Sequence, residues 1–253
     1  EKMLKYYESW EFNILGIYNY KKAGPFDALY NFIKDNHSKF KGDILEAGVY
    51  KGSSTIGLAL LLKELNSNKK VFGFDNFSGF PAALKPEDDF SQFKKLYDEN
   101  KITKEHYEKS LHNITIKESL ADKKLNPLNI STSTNFSDTS IEHVQKKINM
   151  FKLDNIELVK GDFENTMTQS QPYPNKIFAC LIDCNLYDSY IDTLNFVWPR
   201  LEVGGMIYVD EYYSLKFPGA RIATDKFLAD KNADLICYPK IEGEFERWYI
   251  IKK

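Results

Sequence analysis

Short apolar runs that end at or next to an acidic residue recur along the chain and alternate with segments of helical periodicity. The first run covers residues 42–47, and the second covers residues 70–75 and ends at Asp75. Between them, residues 53–66 have the apolar spacing of a buried helix. Strand-like runs resume at residues 156–159, 178–182 and 206–209. Strands that alternate with helices predict an α/β fold with an open, mostly parallel sheet.

The two ends of the chain depart from this alternation. Residues 1–40 carry aromatic side chains at helical spacing, and we interpret them as a helical cap that packs on the core or on a second subunit. A helix over residues 189–201 is expected to stop at the pair Gly204-Gly205. After it, the strand-like runs ADLICYP and ERWYIIKK are joined by KIEGEF, which predicts a hairpin around Gly243. Strands joined so directly cannot form a parallel crossover, so one of them should run antiparallel to the rest.

The middle of the chain is more polar than the rest. From about residue 81 to residue 149 the apolar periodicity weakens, and Lys, Asn, Ser and Thr dominate. A structureless loop of this length is unusual inside a compact domain, so we predict a lid or insertion with short helices. Residues 138–140 (DTS) precede apolar residues at helical spacing and indicate a capped helix that returns to the sheet. The predicted organisation is a cap, residues 1–40, and one domain, residues 41–253, that carries the insertion.

Composition excludes several classes of protein. The 253 residues carry a net charge of −2, which gives no field to attract phosphate backbones, so nucleic acid is not expected as a partner. The longest apolar run, around residues 58–62, is too short to span a membrane, and the N-terminal residues lack the apolar region of a signal peptide. We therefore expect a cytoplasmic protein. The cysteines are few, and buried reduced thiols are predicted for Cys180 and Cys237.

A glycine turn follows the first predicted strand, in the sequence ILEAGVYKGSST. Dinucleotide sites favour G-x-G-x-x-G, in which the backbone and a helix N-terminus approach a pyrophosphate. This turn instead reads E-x-G-x-x-x-G, with Glu46 expected at its mouth and with Gly48 and Gly52 inside it. A carboxylate suits a ligand with hydroxyl groups and a cationic end. The turn therefore favours S-adenosylmethionine (SAM) over a dinucleotide.

Two later strands also end in acidic residues, FACLID at Asp183 and GGMIYVDE at Asp210 and Glu211. In an open α/β sheet the ligand crevice lies outside the carboxyl ends of the strands, so these residues should share an edge with Glu46 and Asp75. Carboxylates that converge are unfavourable unless a cation holds them or one stays protonated. Oxygen ligands without paired His or Cys favour a hard cation such as Mg²⁺.

Five motifs in this order resemble the macrocin-type, SAM-dependent sugar O-methyltransferases of macrolide and related glycoside pathways. They are EAGVYKG, FDNFSGFP, VKGDFENT, LIDCNLYDSYIDTL and GGMIYVDEYYSLKFPGARIATDKF. The resemblance spans roughly residues 42–227 and is most specific over residues 204–227. It implies a Rossmann-like, class I methyltransferase fold, with helices on both faces of a mostly parallel sheet and an antiparallel C-terminal strand.

The resemblance also implies roles for individual residues. The predicted SAM-binding residues are Glu46, Gly48, Tyr50, Gly52, Asp75, Asn76, Ser78, Asp162, Phe163 and Asp183. Asp75 would accept both ribose hydroxyls, and Asp162 would border the adenine. Asp183, Asp210 and Glu211 would hold a metal ion, and the first two are the predicted catalytic residues. The family often has aspartate where this chain has Asn185 and Glu211.

Other polar residues give weaker signals. The histidines show no ligand spacing, and His106 and His112 in the insertion are expected on a solvated surface. Three tyrosines flank the acidic strand ends, and the sequence leaves open whether they pack or stack on a sugar. They are Tyr187, Tyr212 and Tyr213.

The leading hypothesis is a SAM-dependent O-methyltransferase that acts on a hydroxyl of a sugar or glycoside with the help of Mg²⁺. The polar insertion and the Lys- and Asn-rich composition suggest bacterial surface polysaccharide or glycoside biosynthesis. Metal-independent transfer to an amine or phenol stays open, as does a catalytically silent SAM-binding subunit. A nicotinamide oxidoreductase is disfavoured because G-x-G-x-x-G is absent. The aromatic N-terminal residues also suggest a homo-oligomer.

Overall fold

Seven strands form one mixed sheet in the computed structural model, which describes residues 3–239 and 243–253. The strands are β1 (Asp43–Ala47), β2 (Val71–Asp75), β3 (Ile156–Lys160), β4 (Ile177–Ile182), β5 (Leu201–Val209), β6 (Ala233–Tyr238) and β7 (Arg247–Lys252). Their order across the sheet is β3-β2-β1-β4-β5-β7-β6, and β7 runs antiparallel to both of its neighbours. The predicted mostly parallel sheet with an antiparallel C-terminal strand is confirmed.

Helices cover both faces of this sheet, as predicted. They are α1 (Ser9–Leu15), α2 (Asp27–Asn36), α3 (Ser53–Glu64), α4 (Gln92–Asp98), α5 (Lys104–Ala121), α6 (Ile141–Phe151), α7 (Phe163–Thr166), α8 (Tyr187–Val197) and α9 (Pro218–Leu228). Successive residues of β1 point to opposite faces, so Ile44 belongs to the core that includes α2, α3 and α6, while Leu45 belongs to the core that includes α8 and α9. Every residue of β4 is buried, as expected for a central parallel strand with helices on both sides.

The chain reverses its direction of travel across the sheet between β1 and β4, which are neighbours although β2 and β3 intervene in sequence. At such a switch point the connections that leave the two strands diverge and open a crevice at their carboxyl ends. The turn after β1 and the acidic ends of β2, β4 and β5 all lie at this edge. The topology therefore brings together the residues that the sequence analysis singled out.

The polar middle region is helical over much of its length. It contains α4 and α5, and α5 has 18 residues, so it is longer than the predicted short helices. Phe93, Leu96 and Ile102 form a small separate core beneath these helices. The predicted capped helix is α6, where the Ser140 hydroxyl accepts a hydrogen bond from the backbone nitrogen of His143 at 3.1 Å. The region therefore has a small core at α4 and α5, whereas α6 packs on the main core through Val144 and Ile148.

The glycine pair near the C-terminus lies in a strand and does not end a helix as predicted. The helix before β5 ends at Val197, and Gly204-Gly205 lies inside β5 rather than at a helix end. Gly204 has φ of +83°, and the pairing of β5 with β4 shifts register around it, so the glycine pair makes an irregularity in a strand. Residues 240–242 of the predicted hairpin loop lie outside the described residues.

Among the helices that are described, none has the length and apolar character needed to cross a membrane.

Candidate functional site

A cleft of about 750 Å³ lies at the carboxyl edge of the sheet, and we call it the main cleft. Eight of the ten predicted SAM-binding residues line it: Gly48, Tyr50, Asp75, Asn76, Ser78, Asp162, Phe163 and Asp183. These residues follow four different strands, so only the folded sheet brings them together. Their roles in binding stay predictions.

The glycine turn after β1 has a geometric reason to contain glycine. Gly48 has φ of +97°, and a Cβ atom there would lie 2.0 Å from the backbone oxygen of Asp183. The close approach arises because the backbone nitrogen of Asp183 donates to the oxygen of Ala47 at 2.9 Å, which continues the β1–β4 pairing. Gly52, with φ of +77°, caps α3 and faces Val144 of α6 rather than the main cleft. The turn is thus fixed from both sides.

Glu46 lies behind the turn and not at its mouth, where the sequence analysis expected it. Its side chain is fully buried, and its carboxylate accepts hydrogen bonds from the hydroxyls of Ser54 and Thr55. Burial raises the pKa of Glu46 to about 7, although the two hydroxyl donors act in the opposite direction. The visible consequence is that Glu46 fixes the first turn of α3 beneath the main cleft.

Asp75 joins the turns that follow β1 and β2. Its carboxylate accepts hydrogen bonds from the backbone nitrogens of Tyr50, at 2.9 Å, and Phe77, at 2.6 Å. A carboxylate has about four acceptor positions, so these two bonds leave capacity for a ligand. Next to it, the Asn76 amide donates to Asp162 at 3.1 Å, which links the ends of β2 and β3. The result is a pre-oriented row of acceptors along the rim.

Asp183, Asp210 and Glu211 form a cluster that we call the acidic triad. One carboxylate oxygen of each lies within 4.8 Å of the others. Burial and then the charges of Asp210 and Glu211 raise the pKa of Asp183 well above its usual range. The pKa of Asp210 is raised to about 7 by burial and by Glu211, while Arg247 opposes the shift. Three converging hard oxygen donors fit a divalent cation such as Mg²⁺.

Tyr190 of α8 fixes the two strand ends that carry the acidic triad. Its hydroxyl donates to the backbone oxygen of Ile182 at 3.2 Å and accepts from the backbone nitrogen of Glu211 at 3.0 Å. The ring is fully buried, so these bonds form in a low-dielectric environment. Tyr190 thereby adds a link between the two strand ends just beyond their last paired residues, Ile182 and Val209.

The structure adds residues that sequence reasoning missed. Tyr18, from the N-terminal region, lines the main cleft, and burial followed by the charges of Asp183 and Asp210 raises its pKa to about 12. Ser133 and Phe136, from the polar region, line the cleft too, and the ring of Phe136 meets that of Tyr50 at 5.2 Å. In the sequence, the two aromatic residues look like residues that pack in the core, and Ser133 looks like part of a surface loop.

Two expectations about side chains around the triad can be settled. His106 is buried, its Nε2 lies 2.8 Å from the backbone oxygen of Ser214, and its ring stacks on Tyr213 at 4.1 Å. The expectation of a solvated His106 is therefore wrong, because α5 packs against the segment that follows the triad, whereas His112 is exposed as predicted. The three tyrosines that flank the strand ends are buried and pack: Tyr187, Tyr212 and Tyr213.

Asn185 occupies the position where the sequence analysis noted a missing acid. It is buried, it lines the main cleft, and it adopts a left-handed conformation with φ of +66°. Asparagine tolerates that conformation better than most residues. The cleft therefore has an uncharged amide immediately after Asp183 and Cys184.

Comparison with known proteins gives a consistent result. A model of the macrocin-O-methyltransferase family (TylF) matches residues 26–123 and 115–236. Mycinamicin III 3''-O-methyltransferase of Micromonospora griseorubida is 25% identical over 174 residues, which cover 68% of this chain and 55% of that protein. Demethyldecarbamoylnovobiocin O-methyltransferase of Streptomyces niveus is 24% identical over 192 residues, which cover 74% of this chain and 58% of that protein. The chain thus spans little more than half the length of these relatives.

Solved structures share the fold. The O-methyltransferase NovP superposes with a TM-score of 0.61 at 19% identity, covering 89% of this chain and 80% of NovP. The calicheamicin methyltransferase CalS11 gives a TM-score of 0.59 at 20% identity, covering 96% of this chain and 80% of CalS11. At these identities the likeness establishes the architecture, the class I methyltransferase fold that the motifs implied.

Proposed function

Because the chain belongs to the macrocin O-methyltransferase family, we propose that it transfers a methyl group from SAM to a hydroxyl of a sugar or glycoside. The observation that carries the proposal is the position of Asp183, which lines the main cleft and is also a member of the acidic triad. A donor bound in the cleft and an acceptor bound at the triad would meet at this carboxylate. The compounds named for the two relatives, mycinamicin III and demethyldecarbamoylnovobiocin, support the choice of acceptor class.

On the donor side, the residues of the main cleft match the parts of SAM. The turn at Gly48 and Tyr50 would hold the methionine end, and Asp75 would accept the two ribose hydroxyls. Asn76 and Ser78 would lie near the ribose, and a further pair would border the adenine, namely Asp162 and Phe163. The sulfonium of SAM supplies an activated methyl group. The protein's task is therefore to align the groups, and alignment of this kind supplies roughly 7–11 kcal/mol.

On the acceptor side, the acidic triad would hold Mg²⁺. The cation would lower the pKa of an acceptor hydroxyl, which is a weak nucleophile at neutral pH. Asp183 is the candidate to receive the proton, through the carboxylate oxygen that would not hold the cation, because it lies between the two proposed binding regions. Asn185 is uncharged and cannot take that role. Phe80 and Phe136, whose rings meet at 5.0 Å, flank the cleft and would help to exclude water.

Two finer points complete the proposal. We propose a bacterial surface polysaccharide or related glycoside as the biological setting of the acceptor, supported by the polar region that borders the cleft through Ser133. We also propose a homo-oligomer that buries the exposed apolar residues of α1, since Trp10 is 50% and Ile14 77% exposed. Exposed apolar residues of this kind support the proposed oligomer.

Titration calorimetry with SAM and, separately, with NAD(H), each with and without Mg²⁺, tests the proposed function. We expect SAM to bind and NAD(H) not to bind. Methyl transfer is then measured with labelled SAM and a panel of free, phosphorylated and glycosidically linked sugars. Absence of SAM binding would overturn the proposal, and SAM binding without transfer to any glycoside would favour a silent subunit.

A further inference from the structure

The antiparallel strand β7 brings the positively charged side chain of Arg247 to the acidic triad. Because β7 runs against β5, its first residue lies at the edge where the parallel strands end. Trp248 pairs with Val209, so Arg247 is next to Asp210. Nη1 of Arg247 donates to Oδ1 of Asp210 at 3.3 Å, and their side chains are only 25% and 17% exposed. Screening by solvent is therefore reduced at this pair.

The formal charges around the triad depend on this arginine. With a cation bound, the three carboxylates are all ionised and carry −3, and the guanidinium of Arg247, which stays protonated at all relevant pH values, reduces the sum to −2. Among the described residues, Arg247 is the side chain that forms an ion pair with the triad, through Asp210. Lys216 also favours the ionised forms of Asp183 and Asp210, while the buried Glu46 acts in the opposite direction on Asp183. Among the described residues neither makes an ion pair with the triad, so the sum counts the triad and its paired arginine alone.

We propose that Arg247 is a positioning residue that holds Asp210 in the triad and sets the charge of the triad to match one divalent cation. This inference rests on the metal site of the proposed function. With Arg247 present, a divalent ion brings the sum to zero, whereas a trivalent ion leaves +1. Without Arg247, a divalent ion leaves −1 and a trivalent ion leaves zero. Net charge in a half-buried site is unfavourable, so Arg247 selects against trivalent ions.

The local structure gives the guanidinium a fixed place. Its carbon lies 6.0 Å from the centre of the Phe245 ring, and the neighbouring Trp248 packs on Tyr212 at 5.1 Å. Tyr212 belongs to the same short 3₁₀ turn as Asp210 and Glu211. The start of β7 and the triad therefore form one packed unit, in which the arginine is held rather than free to swing into solvent.

The test compares two cations in three proteins, without SAM or acceptor. Dissociation constants for Mg²⁺ and Tb³⁺ are measured by calorimetry for the wild type, Arg247→Met and Arg247→Lys. We expect Arg247→Met to shift the ratio of the two affinities toward Tb³⁺ by about tenfold, because one unit charge nearby is lost. Arg247→Lys keeps the charge and should keep the ratio within about twofold. A general distortion of the site that weakens the binding of both ions equally leaves the ratio of their affinities unchanged.

The control is the same substitution at the opposite end of the sheet, Arg200→Met, which removes a positive charge just before β5 begins. It should leave the ratio unchanged. An unchanged ratio in Arg247→Met, or equal shifts in the Met and Lys variants, would overturn the inference while the proposed methyl transfer stands. If the wild type binds neither ion, the metal site and this inference both fail, and SAM binding still tests the rest. Should melting show that Arg247→Met does not fold, Arg247→Gln replaces it with the same expected shift.

Discussion

The hydroxyl of Tyr190 accepts a hydrogen bond from the backbone nitrogen of Glu211 at 3.0 Å, so a helix on one face of the sheet fixes a residue of the acidic triad. The same hydroxyl donates to the oxygen of Ile182, one residue before Asp183. Parallel strands leave their carboxyl ends without further ladder partners. A buried side chain that bonds to both ends therefore holds the two acidic segments together beyond the last pair of the β4–β5 ladder, Ile182 and Val209.

Tyr190→Phe should lower both stability and metal affinity. The change leaves a buried N–H and a buried C=O without a partner, which costs about 1–3 kcal/mol. Chemical denaturation measures the free energy of unfolding, and calorimetry measures Mg²⁺ binding. The control is Tyr30→Phe, because the buried Tyr30 hydroxyl has no hydrogen-bond partner among the described residues. Equal stability losses in the two variants would contradict the role assigned to the Tyr190 hydroxyl.

Asp75→Asn should weaken SAM binding by about 10- to 100-fold. The reason is the loss of charge-assisted hydrogen bonds to the ribose, which are worth about 1.5–3 kcal/mol. Tyr50 and Phe77 donate to different oxygens of Asp75, so the amide keeps only one of these two bonds, and chemical denaturation of the variant measures how much the turns are weakened. Calorimetry with SAM is the measurement, and Asp154→Asn on the exposed surface is the control. SAM affinity that is equal in both variants would remove Asp75 from the binding site.

The sequence predicted where the site lies in the fold better than it predicted which side chains are buried beneath the site or reach it from elsewhere. Asp75 and Asp183 could be placed because the carboxyl ends of parallel strands share one edge. Glu46 could not, since the alternation of side chains along β1 and the hydroxyls of α3 decide which way it faces. Arg247 reaches the triad only through the register of an antiparallel strand, and His106 only through the packing of α5. Such contacts depend on tertiary structure, which local patterns do not encode.

Removal of the divalent ion should abolish methyl transfer and leave SAM binding intact. Treatment with EDTA, and separately Glu211→Gln, should each lower the transfer rate by about a hundredfold or more, because the cation's stabilisation of the transition state, worth several kcal/mol, is lost. Mg²⁺ should restore the EDTA-treated protein but not the variant. SAM affinity, measured alongside, should change little because Glu211 does not line the main cleft. Full activity in EDTA would favour metal-independent transfer.

Asp88 should make the stability of the protein depend on pH in the direction opposite to most aspartates. Its carboxylate is buried and accepts a hydrogen bond from the backbone nitrogen of Tyr187 at 2.8 Å, at the start of α8. Burial nevertheless raises its pKa to about 6. The folded protein thus binds this proton more tightly than the unfolded chain, so the contribution of Asp88 to stability is greatest below about pH 4 and is lost as the pH rises through about 6.

Asp88→Asn removes that dependence, because the amide is neutral and still offers an acceptor to Tyr187. We expect the variant to gain about 1–3 kcal/mol relative to the wild type between pH 4 and pH 7, measured by chemical denaturation at both values. Its neighbour Asp89 is exposed, and a hydrogen bond from Ser91 lowers its pKa. Asp89→Asn should therefore change stability slightly and in the opposite sense. A wild type and an Asp88→Asn variant with the same pH profile would show that burial does not penalise the Asp88 charge.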